Sequence, residues 1–389
     1  MRVVVVQTSP RLGDVAGNLE RAKSLVLGSD VKRADLVVFP ELFATGYCLP
    51  DAVAARDLAE TVPGGKTTAA LEEVARALGA TAVVGGVCER EKAEPHGEAR
   101  LFNAAAVVTP GGWLTTYRKA HLFFEEKLLF APGPRRPPVL EMKGGFRLGV
   151  MICYDWRFPE VARGLAVEGA DVVAHPSNLV VRSSGPDTLA VRAADNRIFW
   201  AMADRVGEDP RSGREPLEFL GRSQVVDPVG TRLVELLEPK EAVGVAEIDP
   251  QRARAKVLAA GGREGVVADL LADRRRDLYP LFGPPSGAGR LVVQRHELPD
   301  GTHHFDLMLE WGDVLRTWSY EAMPRAGVDA KRIFDHRRTY LEFEGPIDGG
   351  ARGSVRIVAR GEYEVVLDAP DRVVFDARGD VVGRFDLRK

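Results

Sequence analysis

The stretch GVMICYDWRFPE, residues 149–160, leads a buried β-strand into a helix through a single cysteine, Cys153. The strand begins at Leu148 and is apolar throughout, which is typical of a strand covered on both faces in an α/β sheet. The polar residues after Cys153 end the strand and begin the helix. Because reactive groups collect at the carboxyl ends of strands in such sheets, Cys153 lies where a catalytic residue is expected.

Two other ionisable residues end apolar strands in the same way. Glu41 follows LVVFP, where Pro40 interrupts the hydrogen-bond ladder, and Lys119 follows WLTTYR. A lone cysteine at a strand end is ordinarily a small buried hydrophobe, but core packing does not account for three such residues. A thiol nucleophile needs a base to remove its proton and a cation to stabilise the charge that its attack creates. The three segments therefore predict nucleophilic catalysis.

The composition is that of a globular protein of more than one domain. The chain has 389 residues, of which 45% are hydrophobic and 28% charged, and its formal net charge is −3. This length predicts two or three domains, and the charge predicts no general affinity for nucleic acid. Three cysteines do not make a disulfide framework, and no apolar run reaches the roughly 20 residues of a membrane helix. We expect a soluble, cytoplasmic protein with no membrane partner.

Residues 1–283 alternate apolar strands with helical segments, which predicts an α/β fold. Predicted helices are NLERAKSLVLGS, TTAALEEVARALG, PEVARGLAVEG and DTLAVRAADNRI. Three strand-like runs, TAVVGGVCE, FNAAAVVTP and GGWLTTYRK, follow one another without a helix, so the sheet is expected to be mixed. The closing segment 252–283 is predicted to be largely helical.

A Gly- and Pro-rich linker at 284–289 is predicted to separate a second domain, residues 290–389. Short alternating runs such as RLVVQRH, HFDLMLEW and RVVFDAR are joined there by Gly, Asp and Pro turns. This pattern predicts a small, mostly antiparallel β-barrel or sandwich.

The segments FPELFATGY, YRKAHLF and GVMICYDWRFPE resemble the three motifs of the nitrilase, or carbon–nitrogen hydrolase, superfamily. The resemblance covers residues 1 to about 283. It implies a four-layer αββα sandwich, a Glu–Lys–Cys triad, a homo-oligomer of two or more subunits and no cofactor for this domain.

The resemblance also implies a role for each matching residue. Glu41 is the general base, Cys153 attacks the carbonyl carbon and forms a thioester, and Lys119 with the backbone N–H of Tyr154 stabilises the oxyanion. Glu126 matches the family's second glutamate, which positions the lysine and the substrate, and is preferred over Glu125. The implied substrate is a small amide, an ω-amide or an N-carbamoyl amine, with ammonia released, and nitrile hydrolysis is less favoured.

Several neighbours have structural interpretations. Asn178 either lines the substrate pocket or hydrogen-bonds a turn, and both alternatives stay open. Asp155 is predicted to make a salt bridge with Arg157 or a contact at the start of the helix. Cys48 and Cys88 are predicted to be buried thiols.

In the second domain, the strand HFDLMLE places His304, Asp306, Met308 and Glu310 on one face. Two such groups with a further histidine, His296, form a candidate site for Mn or Zn. The alternative is that these are surface histidines.

Residues 290–389 also resemble the 3′-phosphoesterase domain of DNA ligase D, through His296, HFDLMLE and DHRRTYLEFEG. The resemblance implies that His296, His304 and Asp306 hold a divalent metal and that His336 and Tyr340 contact a phosphate. Met308 stands where that family has an arginine, which removes a bidentate phosphate contact. The segment has 16 Lys plus Arg and 18 Asp plus Glu, and this negative balance disfavours a nucleic-acid partner. The favoured function is a thiol amidohydrolase with an appended domain of uncertain activity, and the alternative is metal-dependent DNA 3′-end processing or a DNA-repair-associated binding module. Met308 and the acidic balance disfavour DNA-end processing, and the intact Glu41, Lys119, Glu126 and Cys153 set disfavours a scaffold with two degenerate sites.

Overall fold

The computed structural model describes residues 1–91, 99–182, 185–260, 267–274, 288–311, 314–368 and 372–388. The chain forms two compact units, Met1–Arg274 and Arg275–Lys389. Most of the predicted linker at 284–289 lies outside the described residues, so that boundary stays a prediction.

The first unit is built from short strands and helices that alternate along the chain. Its strands are β1 (Arg2–Gln7), β2 (Leu36–Val38), β3 (Ala82–Arg90), β4 (Leu101–Thr109), β5 (Gly112–Arg118), β6 (Val139–Glu141), β7 (Arg147–Val150), β8 (Val172–Ser177), β9 (Phe199–Asp204), β10 (Glu208–Arg211), β11 (Arg214–Glu218), β12 (Gln224–Val226), β13 (Arg232–Glu235), β14 (Ala242–Glu247), β15 (Val257–Ala260) and β16 (Val267–Asp269). Its helices are α1 (Val15–Leu27), α2 (Ala52–Leu58), α3 (Lys66–Leu78), α4 (Glu126–Leu129), α5 (Pro159–Val167), α6 (Pro186–Asn196) and α7 (Gln251–Arg254).

Two six-stranded sheets form the centre of this unit. Their strand orders are β14-β1-β2-β3-β4-β5 and β13-β12-β9-β8-β7-β6. Strands β1 to β3 are parallel, as are β7 to β9, whereas β3, β4 and β5 are antiparallel neighbours. The mixed sheet expected from the sequence is therefore confirmed.

The buried residues place these sheets face to face with helices outside. Along β1, Val3 and Val5 belong to the core that the two sheets share, whereas Val4 and Val6 pack with residues of α1 and α3. This two-residue alternation buries both faces of the strand. Helices α5 and α6 cover the second sheet through Leu165 and Leu189. The result is a four-layer αββα arrangement, as expected.

The prediction of a largely helical segment over 252–283 was wrong where the structure describes it. After α7, residues Val257–Ala260 and Val267–Asp269 pair as an antiparallel hairpin. Each strand begins with a β-branched valine, and in the sequence the Gly261–Gly262 pair follows the first strand. The local preference for extended backbone therefore outweighs the helical pattern predicted for this segment.

The second unit is a single antiparallel sheet. Its strands are β17 (Ala288–Glu297), β18 (His303–Trp311), β19 (Val314–Tyr320), β20 (Lys331–Arg332), β21 (His336–Arg337), β22 (Gly345–Pro346), β23 (Ser354–Asp368), β24 (Arg372–Gly379) and β25 (Gly383–Arg388). The main path is β20-β19-β18-β17-β23-β24-β25. The Trp318 Nε1 on β19 donates to the Arg388 carbonyl oxygen on β25 at 2.6 Å, so the sheet curls into a nearly closed barrel. The predicted small β-barrel is thus present.

No helix in the described part of the chain is long and apolar enough to cross a membrane. A cytoplasmic location stays a prediction.

Candidate active site

Cys153 lies just beyond β7, as the first residue of a 3₁₀ turn, Cys153–Arg157. Its φ of 38° is in the left-handed region, which is uncommon for a residue other than glycine and frequent at functional sites. The side chain is 5% exposed and lines a cavity of about 210 Å³. The cavity wall is mostly apolar and includes Phe123, Trp156, Leu179 and Val180.

Glu41 lies in the turn after β2 and is fully buried. Its two carboxylate oxygens have different surroundings. The Oε1 atom accepts hydrogen bonds from Lys119 Nζ at 2.7 Å and Asn103 Nδ2 at 2.6 Å. The Oε2 atom is buried and has no hydrogen-bond partner among the described residues. One oxygen is therefore held in place, and the other is left to accept a proton.

Lys119 is buried between two carboxylates. Its Nζ lies 2.7 Å from Glu41 Oε1 and 2.7 Å from Glu126 Oε1. The Glu126 carboxylate also accepts from Tyr47 Oη at 2.6 Å and from the Phe123 N–H at 3.2 Å. The preference for Glu126 over its neighbour agrees with this arrangement, because Glu125 pairs with Arg214 at the surface.

Burial and charge set the protonation of this cluster. Burial raises the pKa of Glu41, and the Lys119 charge opposes that rise. Burial disfavours the Lys119 ammonium, but the charges of Glu126 and Glu41 raise its pKa above the usual value. Burial and the charge of Glu41 raise the pKa of the Cys153 thiol well above its ordinary range. The resting nucleophile is thus a neutral thiol that needs a base, beside a permanently charged lysine.

Asp155 connects the lysine segment to the nucleophile turn. Its carboxylate accepts from the Ile152 N–H at 3.0 Å, which is the predicted contact at the start of the helical turn. It also accepts from Tyr117 Oη at 2.9 Å and lies 2.7 Å from His121 Nδ1. Since Tyr117 and His121 flank Lys119, one buried carboxylate holds both catalytic segments.

Asn178 makes the turn contact that the sequence left open as one alternative, and its place in the cavity wall leaves the substrate-pocket interpretation a prediction. It lines the cavity beside Cys153, and its Nδ2 donates to the Glu41 carbonyl oxygen at 2.9 Å. The Cys153 Sγ lies 3.7 Å from the Asn178 carbonyl oxygen. Of the other two cysteines, Cys88 is buried as predicted, whereas Cys48 is half-buried.

Three residues of this site were missed by the sequence analysis: Tyr47, Asn103 and His175. Asn103 and His175 are polar side chains inside largely apolar strands, β4 and β8. A buried polar side chain needs hydrogen-bond partners, so this interruption was the signal that could have found them.

In the second unit, His296, His304 and Asp306 come together as predicted. One potential ligand atom from each lies within 4.8 Å of the others. The Asp306 Oδ2 is 3.3 Å from His304 Nε2 and 4.0 Å from His296 Nδ1. The His296 Nε2 lies 2.8 Å from the Arg352 carbonyl oxygen, which can only accept, so Nε2 carries a hydrogen and Nδ1 is the nitrogen that faces Asp306. Asp306 Oδ1 is buried and unpartnered among the described residues. This donor set fits a divalent transition metal.

The other predicted residues of that domain surround the same cavity, of about 740 Å³. His336 and Tyr340 line it with their rings 5.3 Å apart, and His336 Nδ1 lies 3.0 Å from Thr317 Oγ1. Met308 is buried among Val292, Leu315 and Leu341, so it supplies packing where an arginine would supply charge.

The first unit is similar to known enzymes. The carbon–nitrogen hydrolase family model matches residues 2–256. A nitrilase from Pyrococcus abyssi is 39% identical over 279 residues, which cover 72% of this chain and 99% of that protein. An (R)-stereoselective amidase from Pseudomonas sp. is 35% identical over 280 residues, covering 71% of this chain and 92% of that protein.

A solved structure is also similar over this unit. The amidase from Nesterenkonia sp. is 30% identical with a TM-score of 0.56, and the match covers 72% of this chain and 95% of that one. A variant of that amidase carries the product of Michael addition of acrylamide at its active-site cysteine.

Proposed function

Because this chain belongs to the carbon–nitrogen hydrolase family, we propose that its first unit hydrolyses small amides through a thioester on Cys153 and releases ammonia. That it acts on amide-type C–N bonds follows from the family and its amidase relatives. The residue roles and the substrate class are the proposal. The observation that carries it is the division of the Glu41 carboxylate into one oxygen held by Lys119 and one buried, unpartnered oxygen.

In the first half of the reaction, Glu41 Oε2 takes the proton of the Cys153 thiol while Sγ bonds to the amide carbon. The C=O electron pair moves onto oxygen, where the Lys119 ammonium and the Tyr154 N–H would stabilise it. The tetrahedral adduct collapses with cleavage of the C–N bond, and Glu41 returns its proton to the leaving nitrogen as ammonia departs. The raised pKa of the Cys153 thiol supports a base-assisted attack over a preformed thiolate.

In the second half, water attacks the thioester carbon. Glu41 takes one proton of that water and delivers it to the departing sulfur, so the carboxylic acid leaves and the thiol is restored. Amide and water are thereby converted to acid and ammonia with no net change in the enzyme.

The cavity lining favours a short, largely apolar acyl group, with Arg157 and Asn178 as the polar side chains of the wall. Aliphatic and aromatic side chains make up most of its wall, and its volume of about 210 Å³ suits a few heavy atoms. A simple aliphatic amide fits this environment better than a polar N-carbamoyl amine. ω-Amides and nitriles are the remaining alternatives.

The test is ammonia release from short amides, ω-amides, N-carbamoyl amines and nitriles, with Cys153→Ala as the inactive control. We expect the highest kcat/KM with aliphatic amides. Turnover of none of these classes by the wild-type protein would overturn the proposal.

Alkylation supplies an independent check. Burial raises the pKa of all three thiols, to about 12 for Cys48 and Cys88 and well above its ordinary range for Cys153. A difference in reactivity must therefore come from the base, Glu41, which acts on the Cys153 thiol. We expect one fast-reacting cysteine whose rate falls in Glu41→Gln. Equal, slow labelling of all three thiols would contradict the assignment of Glu41.

A second candidate function belongs to the β-barrel unit, which we propose binds a Mn or Zn ion through His296, His304 and Asp306. The observation that favours it is the convergence of these three side chains with Asp306 Oδ1 unpartnered. The resemblance to a DNA 3′-phosphoesterase stays a hypothesis, weakened by Met308.

The barrel provides its own control for a metal titration of the full chain. His303 and His304 are adjacent in β18, so they point to opposite faces, and only His304 belongs to the triad. Calorimetry with Mn or Zn should show one site that is lost in His304→Ala and kept in His303→Ala. Manganese-dependent release of phosphate from a 3′-phosphorylated primer then tests whether the barrel unit is a DNA 3′-phosphoesterase. If no phosphate is released, that hypothesis is eliminated.

A further inference from the structure

His175 is a buried histidine of β8 that the proposed mechanism does not use. It is fully buried and sits behind the nucleophile turn. Its Nε2 lies 3.0 Å from the Cys153 carbonyl oxygen, and its Nδ1 lies 3.1 Å from Trp200 Nε1. A buried imidazole with a partner on each ring nitrogen has a defined orientation.

These two partners determine which nitrogen carries the proton. The indole N–H of Trp200 can only donate, so His175 Nδ1 must be the acceptor. The single ring proton is then on Nε2, and it is donated to the Cys153 carbonyl oxygen, which can only accept. Burial lowers the pKa of His175 to about 4, so this neutral form persists at neutral pH. Ser177 Oγ lies 3.0 Å from the same nitrogen and donates its own hydrogen to the His175 carbonyl oxygen.

The bond to Cys153 has a geometric consequence for the next N–H. In a trans peptide, the carbonyl of one residue and the N–H of the following residue point in opposite directions. Holding the Cys153 carbonyl toward His175 therefore directs the Tyr154 N–H away from it. That N–H makes no backbone–backbone hydrogen bond among the described residues, and Cys153 and Tyr154 both line the cavity.

The 3₁₀ turn that begins at Cys153 needs a contact that holds its backbone, such as the hydrogen bond from His175. Cys153 has a φ of 38°, a conformation that persists in a non-glycine residue only when surrounding contacts impose it. The Ile152 N–H and carbonyl oxygen are bonded to Asp155 on one side of Cys153. His175 bonds the carbonyl on the other side.

We propose that His175 is a positioning residue that orients the Cys153–Tyr154 peptide so that the Tyr154 N–H can receive the oxyanion, with Trp200 selecting the required tautomer. This inference rests on the proposed function, since it assigns that N–H to the oxyanion of an amide adduct. His175 does not line the cavity beside Cys153, so it would act through the peptide that it holds.

The experiment compares His175→Leu, which fills similar space without a donor, with His175→Gln, which offers an N–H near the position of Nε2. Three quantities are measured on the full chain: amide hydrolysis, reversible binding of butanal, and alkylation of Cys153 by iodoacetamide. Hydrolysis and the thiohemiacetal formed with butanal both place a charged or polarised oxygen in the oxyanion site, whereas alkylation creates no oxyanion.

In His175→Leu we expect kcat to fall on the order of 100-fold, the effect of losing one oxyanion donor, with KM nearly unchanged. Butanal binding should weaken, and the alkylation rate should stay within about two-fold of wild type, since alkylation does not use that donor. His175→Gln should recover most of the lost kcat and butanal affinity. A purely structural role would instead slow alkylation together with hydrolysis.

The inference is overturned if His175→Leu hydrolyses amides and binds butanal as wild type does, if all three quantities fall together, or if ¹⁵N NMR shows a proton on His175 Nδ1. Failure of the proposed function has a different signature, namely no ammonia release by the wild-type protein. The butanal and alkylation comparison needs no turnover and still decides the role of His175 in that case.

Discussion

At the scale of single residues, the main feature of the site is that the two oxygens of the Glu41 carboxylate have different hydrogen-bond surroundings. Lys119 and Asn103 hold Glu41 Oε1, and the buried Oε2 is left without a partner in the described structure. An unpartnered buried carboxylate oxygen is costly to the fold, so its retention is best explained by proton transfer. Lys119 remains charged because Glu41 and Glu126 together outweigh its burial.

The pH dependence of the reaction should report Glu41. The carboxylate is the active form, and burial raises its pKa above the usual 4.5. Activity should therefore be lost on acidification at a pH above 4.5, as an apparent pKa of the coupled cluster. This loss, the acid limb of the pH profile, is measured by following kcat/KM for a neutral amide as a function of pH.

Asn103→Leu provides the matched control for that profile. Its amide stabilises the Glu41 carboxylate, so its removal should move the acid limb to still higher pH. A wild-type limb at or below 4.5, or one that Asn103→Leu leaves in place, would contradict the assignment.

His175 should make the fold sensitive to acid. Burial lowers its pKa from 6.5 to about 4, so below pH 6.5 the unfolded chain binds a proton that the folded chain does not. The stability is complete above pH 6.5, and the free energy of unfolding falls by about 1.4 kcal/mol per pH unit as the pH approaches 4.

Urea denaturation at pH 7, 6 and 5 measures this loss. Other groups also titrate there, so the informative quantity is the difference from His175→Gln, whose side chain does not titrate. Parallel pH dependences in the two proteins would count against a buried neutral His175.

At the scale of elements, strand ends bring the reacting groups together, and one glycine lets a neighbouring strand pack directly against the Glu41 turn. Gly86 lies in β3 against the turn that carries Glu41. A Cβ on Gly86 would lie 2.3 Å from the Leu42 nitrogen and 2.5 Å from the Glu41 Cα. Both atoms are backbone and can move only with the turn itself.

Gly86→Ala should therefore displace Glu41 and lower kcat/KM by roughly 100-fold, as expected for a displacement of about 1 Å. The adjacent Gly85→Ala is the control, because its Cβ would meet side-chain atoms of Leu71 and Phe43 at 2.9 and 3.0 Å. That overpacking should cost about 1–3 kcal/mol of stability with activity kept. Steady-state kinetics give kcat/KM and thermal melts give the stability of both variants. Equal losses of kcat/KM in the two variants would contradict the role assigned to Gly86.

At the scale of the whole molecule, the two candidate sites belong to different units. Glu41, Lys119, Glu126 and Cys153 all belong to Met1–Arg274, and the His296, His304 and Asp306 cluster belongs to Arg275–Lys389. In the proposed mechanism, the Lys119 ammonium stabilises the negative charge of the oxyanion, so no step involves the ion proposed for the barrel unit.

Metal removal should therefore leave the amidase rate unchanged. Extensive dialysis against a chelator, and separately His304→Ala, should keep kcat/KM within about two-fold of wild type, since neither removes the Lys119 charge. Ammonia-release assays at matched protein concentration measure this, with readdition of Mn as the control. A loss of activity that Mn restores would mean that the two sites depend on each other.

Much of the site was predictable because its main residues interrupt local patterns. Glu41, Lys119 and Cys153 each end an apolar strand, and His304 and Asp306 share a face by the two-residue period of β18. Asn103 and His175 were missed because a polar residue inside a strand does not reveal its partner. Their partners lie far along the chain: Asn103 bonds Glu41 across 62 residues and His175 bonds Cys153 across 22.

The sequence by itself determined the α/β layering, the Glu–Lys–Cys set and the β-rich second domain, because each of these follows from the local periodicity of apolar residues and from residue type. Only the tertiary structure decided which Glu41 oxygen is unpartnered and which tautomer His175 adopts. It also replaced the predicted helix after Arg254 with a hairpin. These features depend on hydrogen bonds and burial between distant segments, and local sequence patterns do not specify such contacts.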